Sequence, residues 1–302
     1  MNTERPADTG IRTEPVVQLD SVTLHEEIEP HTDTTFRRVE NAINLAAMLL
    51  LGTLPIAEII VRGIFRAGIK DASLYIQQFV LLVGFFGGML AARENAHLSV
   101  AAANLIKSER LRTVIRLATQ AIAVMFTTAF TVSAAEWWIT AFGDQVIGFV
   151  PVRVFAIVVP LGFAVMSVRF AKNAPAGPAR APVIALGFLI GLAVSFGSLI
   201  NVGYTLMLEP PEWLFGLETG WQSMINVVSI PMVVILIAST FVGTPLFVVL
   251  TGVAYLLFAR DFGIYLSVVP NTGYAKLISN TIPAIPMFTF VGYVLSESRA
   301  GE

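Results

Sequence analysis

Long apolar runs broken by short polar ones recur along the chain from residue 41 to residue 295. Eight stand out: Asn41–Val61, Ala72–Ala92, Val114–Ala135, Val152–Val168, Val183–Tyr204, Ile225–Val242, Thr244–Ala259 and Ile278–Leu295. Each approaches the roughly 20 residues of helix that cross a bilayer core, the last two being short or interrupted. The pattern predicts an all-α integral membrane protein with eight or so transmembrane helices. It has a four-helix unit, a connecting helix and a further segment. The Pro- and Gly-rich stretch 173–182 marks the boundary between the four-helix unit and the rest of the chain. The expected division is a polar tail over 1–35, a four-helix membrane domain over 36–172, a linker and connecting helix over 173–222, and a final part over 223–302.

Composition fits this reading. The 302 residues are 55% hydrophobic and 13% charged, with mean hydropathy +0.74; soluble domains carry about twice that charged fraction. A net charge of −2 gives no footing for nucleic-acid binding. The absence of cysteine removes disulfides, thiolate metal sites and a cysteine nucleophile. The first 35 residues hold no apolar run and read as a disordered tail without a signal peptide. His25 and His31 lie in that tail as solvated residues, not metal ligands.

Lys and Arg set the expected orientation. Arg93, Lys107, Arg110, Arg112 and Arg116 fall in the second loop, and Arg169, Lys172 and Arg180 in the fourth. Both termini are therefore placed on the cytoplasmic side. All four tryptophans, Trp137, Trp138, Trp213 and Trp221, then fall at the outer side as interface anchors. Residues 101–112 read as a short amphipathic helix lying on the inner interface.

Candidate chemistry is sparse. GIFRAGIK, residues 63–70, has two glycines but lacks the Lys-Ser/Thr end of a phosphate loop. No other catalytic or metal motif appears, so no catalytic, cofactor-binding or metal residues are assigned. The side chains able to do acid–base work, Glu58, His97 and Glu136, fall on two sides of the predicted membrane, which disfavours an enzyme acting on lipids. Polar groups near the predicted helix ends are instead read as contacts to a neighbouring subunit or to lipid: Glu58, Arg62, Gln77, Gln78, Arg93 and His97. Glu58 and Arg62 have the i,i+4 spacing of an ion pair. Buried amides such as Gln77 and Gln78 can bond across helices. Gly84/Gly88 and Gly187/Gly191 have the spacing that lets helices approach closely. Pro283 and Pro286 are expected to break the last helix, as in segments that line a cavity.

Residues 36–172 resemble the small permease subunit (DctQ-like) of tripartite ATP-independent periplasmic (TRAP) transporters. The resemblance rests on Arg62 after helix one, the paired polar residues opening helix two, its Gly-containing body, and the ARENAHLSV stretch after it. The family usually has Trp-Ser-Glu-Glu where this chain has Tyr75-Ile76-Gln77-Gln78, which removes two acids. GTPLFVVLTGVAYLLF and IPAIPMFTFVGYVLSES are similar to the start of the family's large permease (DctM-like). The resemblance implies a sodium-coupled importer of organic acids in the bacterial inner membrane, fed by a periplasmic binding protein. Its other implied partners are the remainder of the large permease and membrane lipid. Sodium is expected only for the complete transporter, at a site outside this chain. The expected role here is scaffolding, without transport by the chain alone. The alternative is a non-transporting membrane assembly protein or a truncated remnant.

Overall fold

A computed structural model describes residues 35–95, 108–140, 145–279, 281–282 and 284–298. The described residues divide into two units between Val39 and Glu40. The described part of the first is the opening turn of helix α1 (Thr35–Phe65). In the second unit α1 continues and leads to α2 (Ala72–Glu94) and α3 (Glu109–Thr140). A two-residue hairpin comes next, β1 (Val146–Ile147) and β2 (Val150–Pro151), then α4 (Val152–Ala156) and α5 (Val158–Asn173). The later helices are α6 (Arg180–Val194), α7 (Phe196–Leu206), α8 (Glu212–Thr240) and α9 (Leu246–Phe262). Two short ones close the described chain, α10 (Val268–Leu277) and α11 (Ala284–Glu297).

Among the described residues, five helices are long and apolar enough to cross a membrane, or six if the bent pair α6–α7 is one span. The other two of the eight expected runs correspond to α9 and α11. Helix α9 has 17 residues and α11 only 14, so neither has the length of the other spans. Helix α10 was not expected at all, because its sequence VVPNTGYAKL lacks an apolar run. Helix α8 starts 13 residues before the expected Ile225. Its true start carries ordinary signals, Pro211 at the cap and Glu212 in the first turn.

Helix α3 is the centre of the packing. Helices α5, α6, α7, α9 and α10 all lie against it, while α2 packs on α5 and α8 on α9. Lipid is as apolar as leucine, so burial of apolar surface does not drive helices together here; close packing and polar contacts do. Both are present. A Cβ on Gly187 would lie 2.8 Å from the Ala121 carbonyl oxygen, and one on Gly191 would strike that of Met125. The Gly187/Gly191 face thus sets α6 directly on the α3 backbone. An aromatic chain links α2, α3, α5 and α9. Phe85–Phe163 and Phe130–Phe163 centroids are each 5.3 Å apart, and Phe130–Tyr255 5.7 Å.

The 43° bend between α6 and α7 has a local cause. The buried Ser195 hydroxyl donates to the Gly191 carbonyl at 2.9 Å, the back-bonding that bends helices. Gly197 comes two residues later, and a Cβ there would fall 2.6 Å from the Trp221 ring. The bend lets α8 approach α7.

Candidate functional site

Three sets of polar side chains among the described residues of the second unit lie at helix crossings. The first is charged. Glu40, 3% exposed, takes both guanidinium nitrogens of Arg169, at 2.7 and 2.6 Å. Arg169 also donates to the Met89 carbonyl. Arg93 lies 3.7 Å from the same carboxylate, donates to Asn41 at 3.3 Å and pairs with Glu94 at 3.1 Å. Asn173 donates to the Ala92 carbonyl at 2.7 Å. One acid on α1 is thereby tied to α2 and α5 by a two-pronged arginine contact, the strong geometry for a buried pair.

The second set is neutral hydroxyls around one acid. Ser133 on α3 bonds both Ser198 of α7, at 2.7 Å, and Tyr255 of α9, at 2.6 Å. One turn on, Glu136 is 1% exposed and accepts from the Asn201 amide, with Ser198 and Ser267 beside it. Thr128 and Ser167 join α3 to α5 at 2.9 Å. The third set fixes α10: Trp137 donates to Asn271 at 3.0 Å, and Gln78 reaches the Tyr274 hydroxyl at 3.3 Å.

The residues singled out from the sequence divide among several places. Gln77 and Gln78 are buried, and Gln78 bonds across to α10. An uncharged amide at Gln78 needs no counter-ion, so the site tolerates the absence of the acids that the resemblance led one to expect. Arg93 belongs to the charged set. Glu58 and Arg62 form their i,i+4 ion pair on α1 and line a shallow recess with Pro55, Ile59 and Gly63. His97 and Pro283 lie outside the described residues, as does most of the expected 101–112 amphipathic helix; its last residues form the first turn of α3. Pro286 is the third residue of α11, in the first turn where proline is tolerated.

One expectation is revised and one contact is new. Trp137 and Trp221 are 1% and 5% exposed, and Trp221 donates to the Ala193 carbonyl at 3.0 Å. They are packing residues with an internal partner, not interface anchors. The Glu40–Arg169 pair escapes sequence reasoning altogether. Glu40 falls one residue before the expected start of helix one, and its partner is 129 positions away. The available signal was a pair of opposite charges bordering two apolar runs.

Among the described residues no group of three or more His, Cys, Asp or Glu could hold a metal ion. The polar sets largely satisfy one another, and their arrangement joins helices. No curated protein and no solved structure matches the chain. A family model does, over residues 36–175, ending three residues beyond the stretch singled out from the sequence. Those residues, which include α1 to α5 and the charged set that ties them, match the DctQ component of the tripartite ATP-independent periplasmic transporters, a family of transporter parts and not of enzymes.

Proposed function

We propose that this chain is a membrane component of a TRAP-type secondary transporter and acts as its static scaffold. The observation that carries the reading is the DctQ match over 36–175. The cross-bonded packing of α3 against five other helices supports a rigid part over a moving one. On this reading residues 223–302 are the start of a large permease, and a separate or continuing polypeptide supplies the moving domain, with the sodium and organic-acid sites. A periplasmic binding protein delivers the substrate. Both termini face the cytoplasm, which sets the Glu40–Arg169–Arg93 group at the inner surface. The outward-facing apolar side of α1, together with the Glu58–Arg62 pair, is the surface offered to the rest of the permease.

The test is a pull-down of the tagged full chain in mild detergent from its native membrane, with mass spectrometry of what accompanies it. Recovery of a polypeptide that completes a large permease is the expected result. Recovery of the chain alone, together with no effect of its deletion on organic-acid uptake by those cells, would overturn the reading in favour of a non-transporting membrane protein. Sodium-driven uptake by the purified chain in proteoliposomes would overturn the scaffold role specifically.

A further inference from the structure

A cavity of about 210 Å³ lies where α2, α3, α5, α9 and α10 meet. Its wall includes Phe85, Phe130, Phe163, Thr251, Gly273 and Tyr274. Apart from the Thr251 and Tyr274 hydroxyls the wall side chains are hydrocarbon, so water entering would lose more hydrogen bonds than it gained. Close-packed interiors leave few voids larger than a water molecule, and an empty one forfeits dispersion contacts along its whole wall. An apolar cavity somewhat smaller than this, about 150 Å³, stays dry and takes up small hydrocarbons. Gly273 lines the wall and is itself exposed, so the cavity opens at α10.

Helices long and apolar enough to span, α2, α3 and α5 among those that line it, are surrounded in a bilayer by lipid hydrocarbon, present at concentrations no dissolved apolar solute reaches. We infer that this cavity is a lipid site: it takes the end of one acyl chain of a membrane phospholipid, entering past Gly273. The chain tip fills the space against Phe85, Phe130 and Phe163, and the lipid thereby becomes part of the joint between α10 and the α2–α3–α5 packing. The inference requires only that these helices lie in a bilayer and is independent of the transport reading.

Gly273 offers a clean probe, since a Cβ built there meets nothing within 4 Å. The experiment uses the full chain in nanodiscs of phosphatidylcholine with a diazirine at the end of one acyl chain, irradiated and mapped by peptide mass spectrometry. The expected result is labelling of Phe85, Phe163 or Tyr274 at a yield comparable with Leu45 and Leu49, which are exposed on α1 in the chain by itself. Phe126, buried in the core, should stay unlabelled. Gly273→Leu should cut the labelling of the cavity wall at least fivefold and leave α1 unchanged. A wild-type wall labelled no more than Phe126 overturns the inference whatever the variant does. So does a wall label that persists undiminished in Gly273→Leu with its helical content and melting intact. If that variant melts early, Gly273→Val is read by the same criteria.

Discussion

Helices α1 and α3 are almost equal in length, 31 and 32 residues, and both qualify as spans, yet they live in different surroundings. In the most apolar stretch of α1 11% of residues are buried, against 56% in that of α3, although α1 is the more hydrophobic. The difference comes from the solvent. In water the more apolar helix would be the buried one; in lipid an apolar surface gains little by leaving its surroundings. Burial goes to the helix with small and polar residues. Helix α3 buries Thr127, Thr128, Ser133 and Glu136 among alanines, and each of these finds a partner on its own or a neighbouring helix. Helix α1 has one buried polar anchor in the second unit, Glu40, and little else holds it.

The contrast can be broken most severely at that anchor. Arg169→Ala leaves a nearly inaccessible carboxylate without its principal partner, and removing one member of a buried pair costs about 3–5 kcal/mol. We expect α1 to detach while α3 and its neighbours stay packed, read as new labelling of cysteines placed at Ala47 and Leu51. Protection of both cysteines in the variant would show that α1 is held by something other than its anchor. Next in size is Gly191→Ala, whose added methyl strikes the Met125 carbonyl across the α3–α6 crossing. A loss of about 1–3 kcal/mol is expected in equilibrium unfolding in mixed micelles.

The second glycine pair sharpens the point by its sign. Gly84 has the same four-residue spacing to Gly88, but a Cβ there meets nothing within 4 Å. Gly84→Ala should therefore stabilise by about 0.5–1 kcal/mol through helix propensity alone. Ser133→Ala removes one hydroxyl from the three-helix bond network and should cost about 1 kcal/mol, concentrated in the α7 and α9 contacts. The smallest effect belongs to the Glu58–Arg62 pair, where Arg62 is 67% exposed. Arg62→Ala should change stability by no more than about 0.5 kcal/mol, while its effect on recovery of a permease partner measures whether this surface is an interface.

Much of this architecture was legible in advance. The first three spans and the position of the fourth can be read from apolar run length, and the i,i+4 spacing of Glu58 and Arg62 is enough to pair them. Helix α10 was not legible because its residues are held by Trp137, Gln78 and the wall of α3, not by their own propensities. The early start of α8 was marked by Pro211 and Glu212, but hydropathy over a window of span length favours the apolar core of a helix over its amphipathic beginning. Glycine spacing predicted close approach twice, at Gly84/Gly88 and Gly187/Gly191, and the two outcomes differ because spacing fixes which residues share a face and not what that face meets.

The amino-acid sequence by itself determined the solvent of this protein, its class as an all-α membrane protein, most of its helices and the similarity of its first half to a transporter component. These depend on properties carried by each segment alone: length, apolarity, caps and local motif. Only the tertiary structure decided which helix sits at the centre, which tryptophans turn inward, and that Glu40 and Arg169 share one buried contact. Those outcomes depend on pairs of residues far apart in the chain. In a bilayer, where apolarity no longer distinguishes inside from outside, such pairs are what choose among the possible packings.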